Sequence, residues 1–230
     1  MTHPLVAEVR AALKKAGDPV KAPQMQAYMK STMPFRGVSA PDQRRLWREI
    51  FPRHTMATAA EWRGIALQLW REAAFREERY AAIALTDLRR CAAWRARAAI
   101  PMLEEMIVTG AWWDYVDVLA SHHLGDVLRA DRTRVAPLMR RWARDADMWK
   151  RRAAMLCQIR FKGETDLALL YDCNEPNLGD REFFIRKAIG WALRSYAWTD
   201  PREIARYVRE HDAGLSPLSR REALKNVSRG

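Results

Sequence analysis

TGAWWDYVDVLASHHLG (Thr109–Gly125) is the stretch from which the rest of this chain can be read. It leaves a Gly-bearing loop and enters a run with the apolar spacing of a helix, so Trp113 and Asp117 stand one above the other on one face. Val116, Val118 and Leu119 surround Asp117 with residue types that ordinarily face inward. A carboxylate in such company either loses solvation at considerable cost or stands at the wall of a cleft with a task. An exposed Asp beside a structural Trp is the plainer reading of this helix taken alone.

The same loop-to-helix start recurs along the chain. Glu77, Trp113, Trp149 and Phe184 fall in one register, at spacings of 36, 36 and 35 residues. Four residues further on, that register reads Ala81, Asp117, Ala153 and Ala188. Close helix packing at a repeat seam demands a small residue, and one copy carries an acid instead. One position earlier stand Tyr80, Val116, Arg152 and Lys187, and Lys187, Trp191 and Arg194 form a stripe along one helix face. Equivalent positions of a solenoid line a common, usually concave, surface. Trp113, Asp117, Arg152, Lys187, Trp191 and Arg194 are therefore expected to converge on it. Core packing is the expectation for most of the ten tryptophans.

Nearly every other segment repeats apolar residues at three and four, and no run of alternating β-branched residues competes. Helices are expected over 3–16, 22–31, 41–51, 58–71, 75–90, 93–108, 111–129, 132–145, 147–161, 164–173, 181–197, 201–210 and 217–228. Gly17-Asp18-Pro19, Ser39-Ala40-Pro41, Gly163, Asn174 to Gly179, Asp200-Pro201 and Gly214 to Pro217 supply the breaks. The expected fold is all-α: a superhelical solenoid of antiparallel helix pairs in one repeat domain spanning 1–230, with a concave basic face. An irregular helical bundle is the alternative.

Composition narrows the function. A length of 230 residues suits one domain or an elongated array, and a hydrophobic fraction of 49% excludes wholesale disorder. Forty Lys and Arg against 28 Asp and Glu leave a charge of +12, which points to a polyanion, most often nucleic acid. A protein that is basic only for solubility is the other reading. Cys91, Cys157 and Cys173 are widely spaced and odd in number, which suggests neither a disulfide framework nor a zinc module and suits a reducing cytoplasm. The five histidines form no ligand pattern, so no metal is expected. MTHPLVAEVRAALKK (1–15) acquires charge too early for a secretory signal, and no stretch approaches the ~18 apolar residues of a membrane span.

A concave basic surface grips a duplex backbone without doing chemistry. One carboxylate between two indoles adds something more specific. Cleaving an N-glycosidic bond develops positive charge on the sugar, which an ionised carboxylate and the negative faces of aromatic rings stabilise. A base already cationic through alkylation leaves as a neutral molecule and needs no general acid, whereas glycoside hydrolysis ordinarily uses two carboxylates. Asp117 would also orient the attacking water. Arg152 would keep Asp117 ionised and bind a phosphate beside the lesion.

With these residues the chain resembles the AlkD-type DNA alkylation-repair glycosylases, which are built from HEAT-like helical repeats. The resemblance runs through Tyr28-Met29-Lys30, Pro34-Phe35-x-Gly37-Val38, Pro41-x-x-Arg44-x-Leu46, Trp112-Trp113-Asp114-x-Val116-Asp117 and Leu124-Gly125-Asp126. It continues through Trp149-x-x-Arg152-Ala153-Ala154, the string from Phe183 to Arg194 that contains Lys187-Ala188-Ile189-Gly190-Trp191, and Leu218-Ser219-x-Arg221-Glu222-Ala223-x-Lys225. It implies excision of 7-methylguanine and 3-methyladenine from double-stranded DNA with no metal or cofactor, without drawing the base into a pocket; a monomer is expected. By the same resemblance Asp117 is the catalytic aspartate, and Trp113 and Trp191 are the indoles that cradle the lesion's deoxyribose. Arg152 is the essential arginine at the backbone, and Arg194 contacts the backbone. Lys187, Tyr28, Arg221 and Lys225 join Arg194 and Arg152 as expected DNA contacts. A cytoplasmic, nucleoid-associated location follows from such a substrate. Two other readings stay open at this level: a silent helical-repeat protein that binds DNA without cutting, and a scaffold for an acidic protein.

Overall fold

The computed structural model describes residues 1–229, with side chains through Val227. Among the described residues it is all-helical, without a strand. In chain order the α-helices are α1 (Pro4–Ala16), α2 (Lys21–Met29), α3 (Ala40–Ile50), α4 (Ala59–Arg71), α5 (Arg76–Thr86), α6 (Ile100–Gly110) and α7 (Trp113–Val118). They continue as α8 (Gly125–Ala130), α9 (Arg132–Trp142), α10 (Met148–Leu156), α11 (Leu167–Asn174), α12 (Phe183–Ala197), α13 (Pro201–Glu210) and α14 (Pro217–Ala223). The chain forms two compact units, one of residues 1–94 and one from Arg95 onward. No described helix is long and apolar enough to cross a membrane.

Side-chain caps set many of the helix starts. Ser39, Thr58, Asp147, Asp166, Asp200 and Ser216 each accept a hydrogen bond from a backbone N–H in the first turn of α3, α4, α10, α11, α13 and α14, groups that otherwise lack a partner. Proline stands in the first turn of α3, α13 and α14, where its missing N–H costs nothing.

In the first unit, Leu5, Val6, Val9 and Leu13 bury the inner face of α1 against α3, α4 and α5. Glu77, the register equivalent of Trp113, is a buried tie. Its carboxylate accepts the backbone N–H groups of Arg36 at 2.9 Å, Gly37 at 2.9 Å and Val38 at 3.2 Å. That loop turns at Gly37, whose φ of +84° favours glycine and whose added Cβ would lie 2.1 Å from the Asp18 carbonyl oxygen.

In the second unit, α7 packs on α10 and α10 on α12, so successive copies of the register are neighbours in space. The alanines of the register, Ala81 in α5, Ala153 in α10 and Ala188 in α12, are completely buried. α12 also packs closely on α14, through Gly190. A Cβ there would lie 2.5 Å from Glu222 Cβ and 2.7 Å from the Ser219 carbonyl oxygen. An Ala in place of a mid-helix Gly ordinarily stabilises by up to ~1 kcal/mol. Here Gly190→Ala should instead cost about 1–3 kcal/mol by overpacking. Thermal unfolding checks the sign: the expectation is a melting temperature lowered by several degrees, and a raised one would contradict the contact.

Several expected boundaries are corrected. The helix expected over 93–108 begins only at Ile100, because Pro101 belongs in a first turn; the segments 89–94 and 97–99 are 3-10 turns. The helices expected over 75–90 and 147–161 stop at Thr86 and Leu156. The expected 111–129 helix is interrupted, with a π-helical turn over Leu119–Leu124 between α7 and α8. Beyond that turn Gly125 lies so near the Cys157 carbonyl oxygen that an added Cβ would be 2.8 Å from it. The last expected helix, 217–228, keeps α-geometry only to Ala223 and tightens to a 3-10 turn.

Candidate active site

α7, α10 and α12 each bring one part of a cleft of about 400 Å3. From α7 come Trp113 and, one turn on, Asp117; from α10 comes Arg152; from α12 come Lys187, Trp191 and Arg194. The six residues that the sequence places on a common surface thus line one cavity. Trp113 and Trp191 are half-buried, unlike the core indoles of Trp62 and Trp70. The π turn begins two residues after Asp117, and the Ser121 hydroxyl donates to the Asp117 carbonyl oxygen at 2.6 Å. Such single wide turns recur at functional sites.

Asp117 and Arg152 form a two-pronged ion pair. Arg152 Nε donates to Asp117 Oδ1 at 2.7 Å and Nη2 to Oδ2 at 2.8 Å, while Nη1 donates to the Phe184 carbonyl oxygen. This fork fixes the carboxylate plane as well as its position. The side chain of Asp117 is 13% exposed and that of Arg152 5%, so the pair sits at the cleft wall with the acid nearer solvent. Burial pushes the Asp117 carboxyl above its ordinary range, the hydrogen bonds and charge of Arg152 pull it back, and the nearby Asp114 carboxylate adds a smaller push upward. Arg152 is engaged from behind by α12 and faces Asp117, which leaves Lys187 and Arg194 as the more exposed cations of the cleft.

Two aromatic residues of the cleft, Phe183 and Phe184, had no role in the sequence reading. Phe184 shares the register of Trp113, which is the signal that could have found it. Its ring centroid lies 5.1 Å from that of Trp149 and 5.6 Å from that of Trp112, and the Arg152 guanidinium lies 5.8 Å from the centroid of the Phe184 ring. Phe183 is largely exposed at the start of α12.

Glu222 likewise had no role in the sequence reading, since it is one of 28 acids in the chain and stands beside arginines on α14 with nothing to mark it out. Its carboxylate is buried and pairs with Lys187 at 3.1 Å, Lys225 at 2.6 Å and Arg194. Burial would push it up, but its hydrogen bonds to Lys225 and Lys187 and the charges of Lys187 and Arg194 prevail and lower it to about 2. Lys225 thereby joins two cleft residues through a shared partner. Arg221 is exposed on α14 and does not line the cleft. Tyr28 is exposed on α2 of the first unit, beside an apolar groove with Met25 and Trp47.

No described group of His, Cys, Asp and Glu could hold a metal ion. Cys91, Cys157 and Cys173 are buried free thiols. Burial raises Cys157 and Cys173 well above the ordinary thiol range, which makes them poor nucleophiles. The cleft itself presents one carboxylate, its arginine and two indoles, with Lys187 and Arg194 beside them.

Against known proteins, the family model for DNA alkylation repair enzymes matches residues 9–227. Among solved structures, a protein from Enterococcus faecalis described as a predicted DNA alkylation repair enzyme is similar, with a TM-score of 0.75 and 29% sequence identity. The match covers 93% of this chain and 98% of that one. No curated protein matches the chain.

Proposed function

This chain belongs to the family of DNA alkylation repair enzymes, and from that premise we propose that it is a DNA-alkylpurine N-glycosylase. It hydrolyses the N-glycosidic bond of cationic alkylpurines such as 7-methylguanine and 3-methyladenine in duplex DNA and leaves an abasic site. The observation that carries the reading is the placement of Asp117 in one cleft with Trp113 and Trp191, its carboxylate held by the two-pronged fork of Arg152.

The alkylated base already bears a positive charge, so it departs with the bonding electron pair as a neutral purine and the charge passes to the deoxyribose. An ionised Asp117 stabilises that oxocarbenium-like sugar through space, and the faces of Trp113 and Trp191 add their negative electrostatic potential. Water then adds to the sugar's anomeric carbon and gives up a proton, for which Asp117 is the acceptor. No proton needs to be delivered to the leaving group, which accounts for a single carboxylate. Arg152 keeps Asp117 charged and aimed, and Lys187, Arg194 and Lys225 meet backbone phosphates. Support comes from the family and the neighbour, which concern alkylation repair, and from the net charge of +12.

The test is release of free base from methylated duplex DNA by the purified protein, in the presence of chelator, followed by chromatography. Release of 7-methylguanine, with abasic sites formed in equal number, is the expected result. Tight duplex binding with no release would leave a DNA-binding protein that does not cut.

A further inference from the structure

Glu222 plays no part in the chemistry above, and its setting gives it one. Its carboxylate is only 5% exposed, yet three cations reach it: Lys187 and Arg194 from α12, and Lys225 from the turn after α14. Lys187 and Arg194 stand about two helical turns apart, roughly 10 Å along the axis. What lets both reach one acid is the residue between them. Gly190 leaves a gap on that side of α12, and Glu222 Cβ fills it, 2.5 Å from where a glycine-borne Cβ would stand. The Ser219 hydroxyl, donating to the Arg186 carbonyl oxygen at 2.9 Å, fixes α14 in this seat.

The outer sides of the cations stay open. Lys187 is 36% exposed, Arg194 26% and Lys225 49%. Each ammonium and the guanidinium keeps N–H donors beyond those spent on Glu222, and three cations around one carboxylate retain a charge of about +2. Left in water, three long side chains would splay apart by mutual repulsion and lose rotamer freedom on meeting an anion.

We propose that Glu222 is a positioning residue, which gathers Lys187, Arg194 and Lys225 into a preformed clamp for one phosphate of the DNA strand beside the Trp113–Trp191 cleft. This rests on the glycosylase reading for its substrate. Its effect is to set the register of the strand, so that the damaged nucleotide's sugar stops against Asp117. A carboxylate among DNA-binding cations is a liability for affinity alone, and only placement gives it a use.

Charge and placement predict opposite outcomes, which makes the test decisive. Glu222→Gln adds one positive charge to the protein's net charge, while Glu222→Asp keeps the charge and shortens the side chain by one methylene. Both are measured in the full chain on a duplex with a single 7-methylguanine, with enzyme in excess, alongside binding at several salt concentrations and a thermal melt. Glu222→Gln should bind as tightly as wild type or more tightly, with a salt dependence equal or steeper. Both variants should release base about tenfold more slowly or worse at saturation, as expected for a misplaced substrate. Release within twofold of wild type by either folded variant, or a loss explained wholly by weaker binding, overturns the proposal. Should Glu222→Gln fail to fold, Glu222→Asp decides alone.

A binding measurement separates this inference from the glycosylase reading. On a duplex with a tetrahydrofuran abasic site, one uncharged methylphosphonate linkage is moved along the strand. Wild type should lose affinity sharply at one linkage beside the site, and Glu222→Asp should lose that preference. An even response of wild type at every linkage overturns the clamp even if the enzyme excises base normally. A sharp response from a protein that releases no alkylpurine overturns the glycosylase reading and keeps the clamp.

Discussion

Asp117→Asn is expected to slow release of 7-methylguanine by roughly a hundred- to a thousandfold, the scale of losing one preorganised electrostatic group at a reacting centre. Binding to the same duplex should survive within a few-fold. The amide is isosteric, so the cleft keeps its shape, but no negative charge faces the sugar as it becomes cationic. Asn also presents an N–H to one prong of the Arg152 fork that now meets Oδ1 and Oδ2, so a modest fall in stability accompanies the change. Single-turnover release and equilibrium binding on one duplex separate the two effects. Release by Asp117→Asn at the wild-type rate would remove this carboxylate from the mechanism.

Arg152→Gln should do comparable damage by a different route, and pH tells them apart. Burial holds the Asp117 carboxyl above its ordinary range, against the pull of Arg152. The active form is the ionised one, so wild-type activity falls as pH drops through that raised value. Removing Arg152 removes the opposing pull, the carboxyl rises further, and the acid limb of the pH–rate profile moves to higher pH. The variant should therefore recover part of its rate as the pH is raised above that of the wild-type acid limb, whereas Asp117→Asn stays inactive throughout. Profiles between pH 5 and 9 for the two variants and wild type check this. An acid limb at the same pH in wild type and Arg152→Gln would mean that the arginine does not act through the carboxylate. Leaving a buried acid without its partner typically costs 3–5 kcal/mol, so the thermal melt of this variant is expected to shift downward as well.

The all-helical class, and the stacking of α7, α10 and α12, were legible because a repeat writes the same packing demand several times. Ala153 and Ala188 are fully buried where α10 and α12 pack against their neighbours, and the same register column carries the acid in α7. Spacing alone thus put Trp113, Asp117, Arg152, Lys187, Trp191 and Arg194 on one surface, and they line one cleft. Local interruptions were harder to read. Pro101 signalled a helix start that apolar periodicity obscured, and the π turn after Asp117 leaves no mark in composition because its residues are ordinary helix formers.

What residue types and their periods determine by themselves is which side chains share a helix face, since a helix imposes that geometry on any sequence that forms it. The pairing of Asp117 with Arg152, the Phe184 carbonyl that takes the third prong, and the carboxylate of Glu222 that collects cations from two elements depend on how far apart those helices lie. That distance was decided by tertiary packing, at contacts such as Gly190 against Ser219 and Glu222, where tenths of an ångström between backbones determine which charges meet.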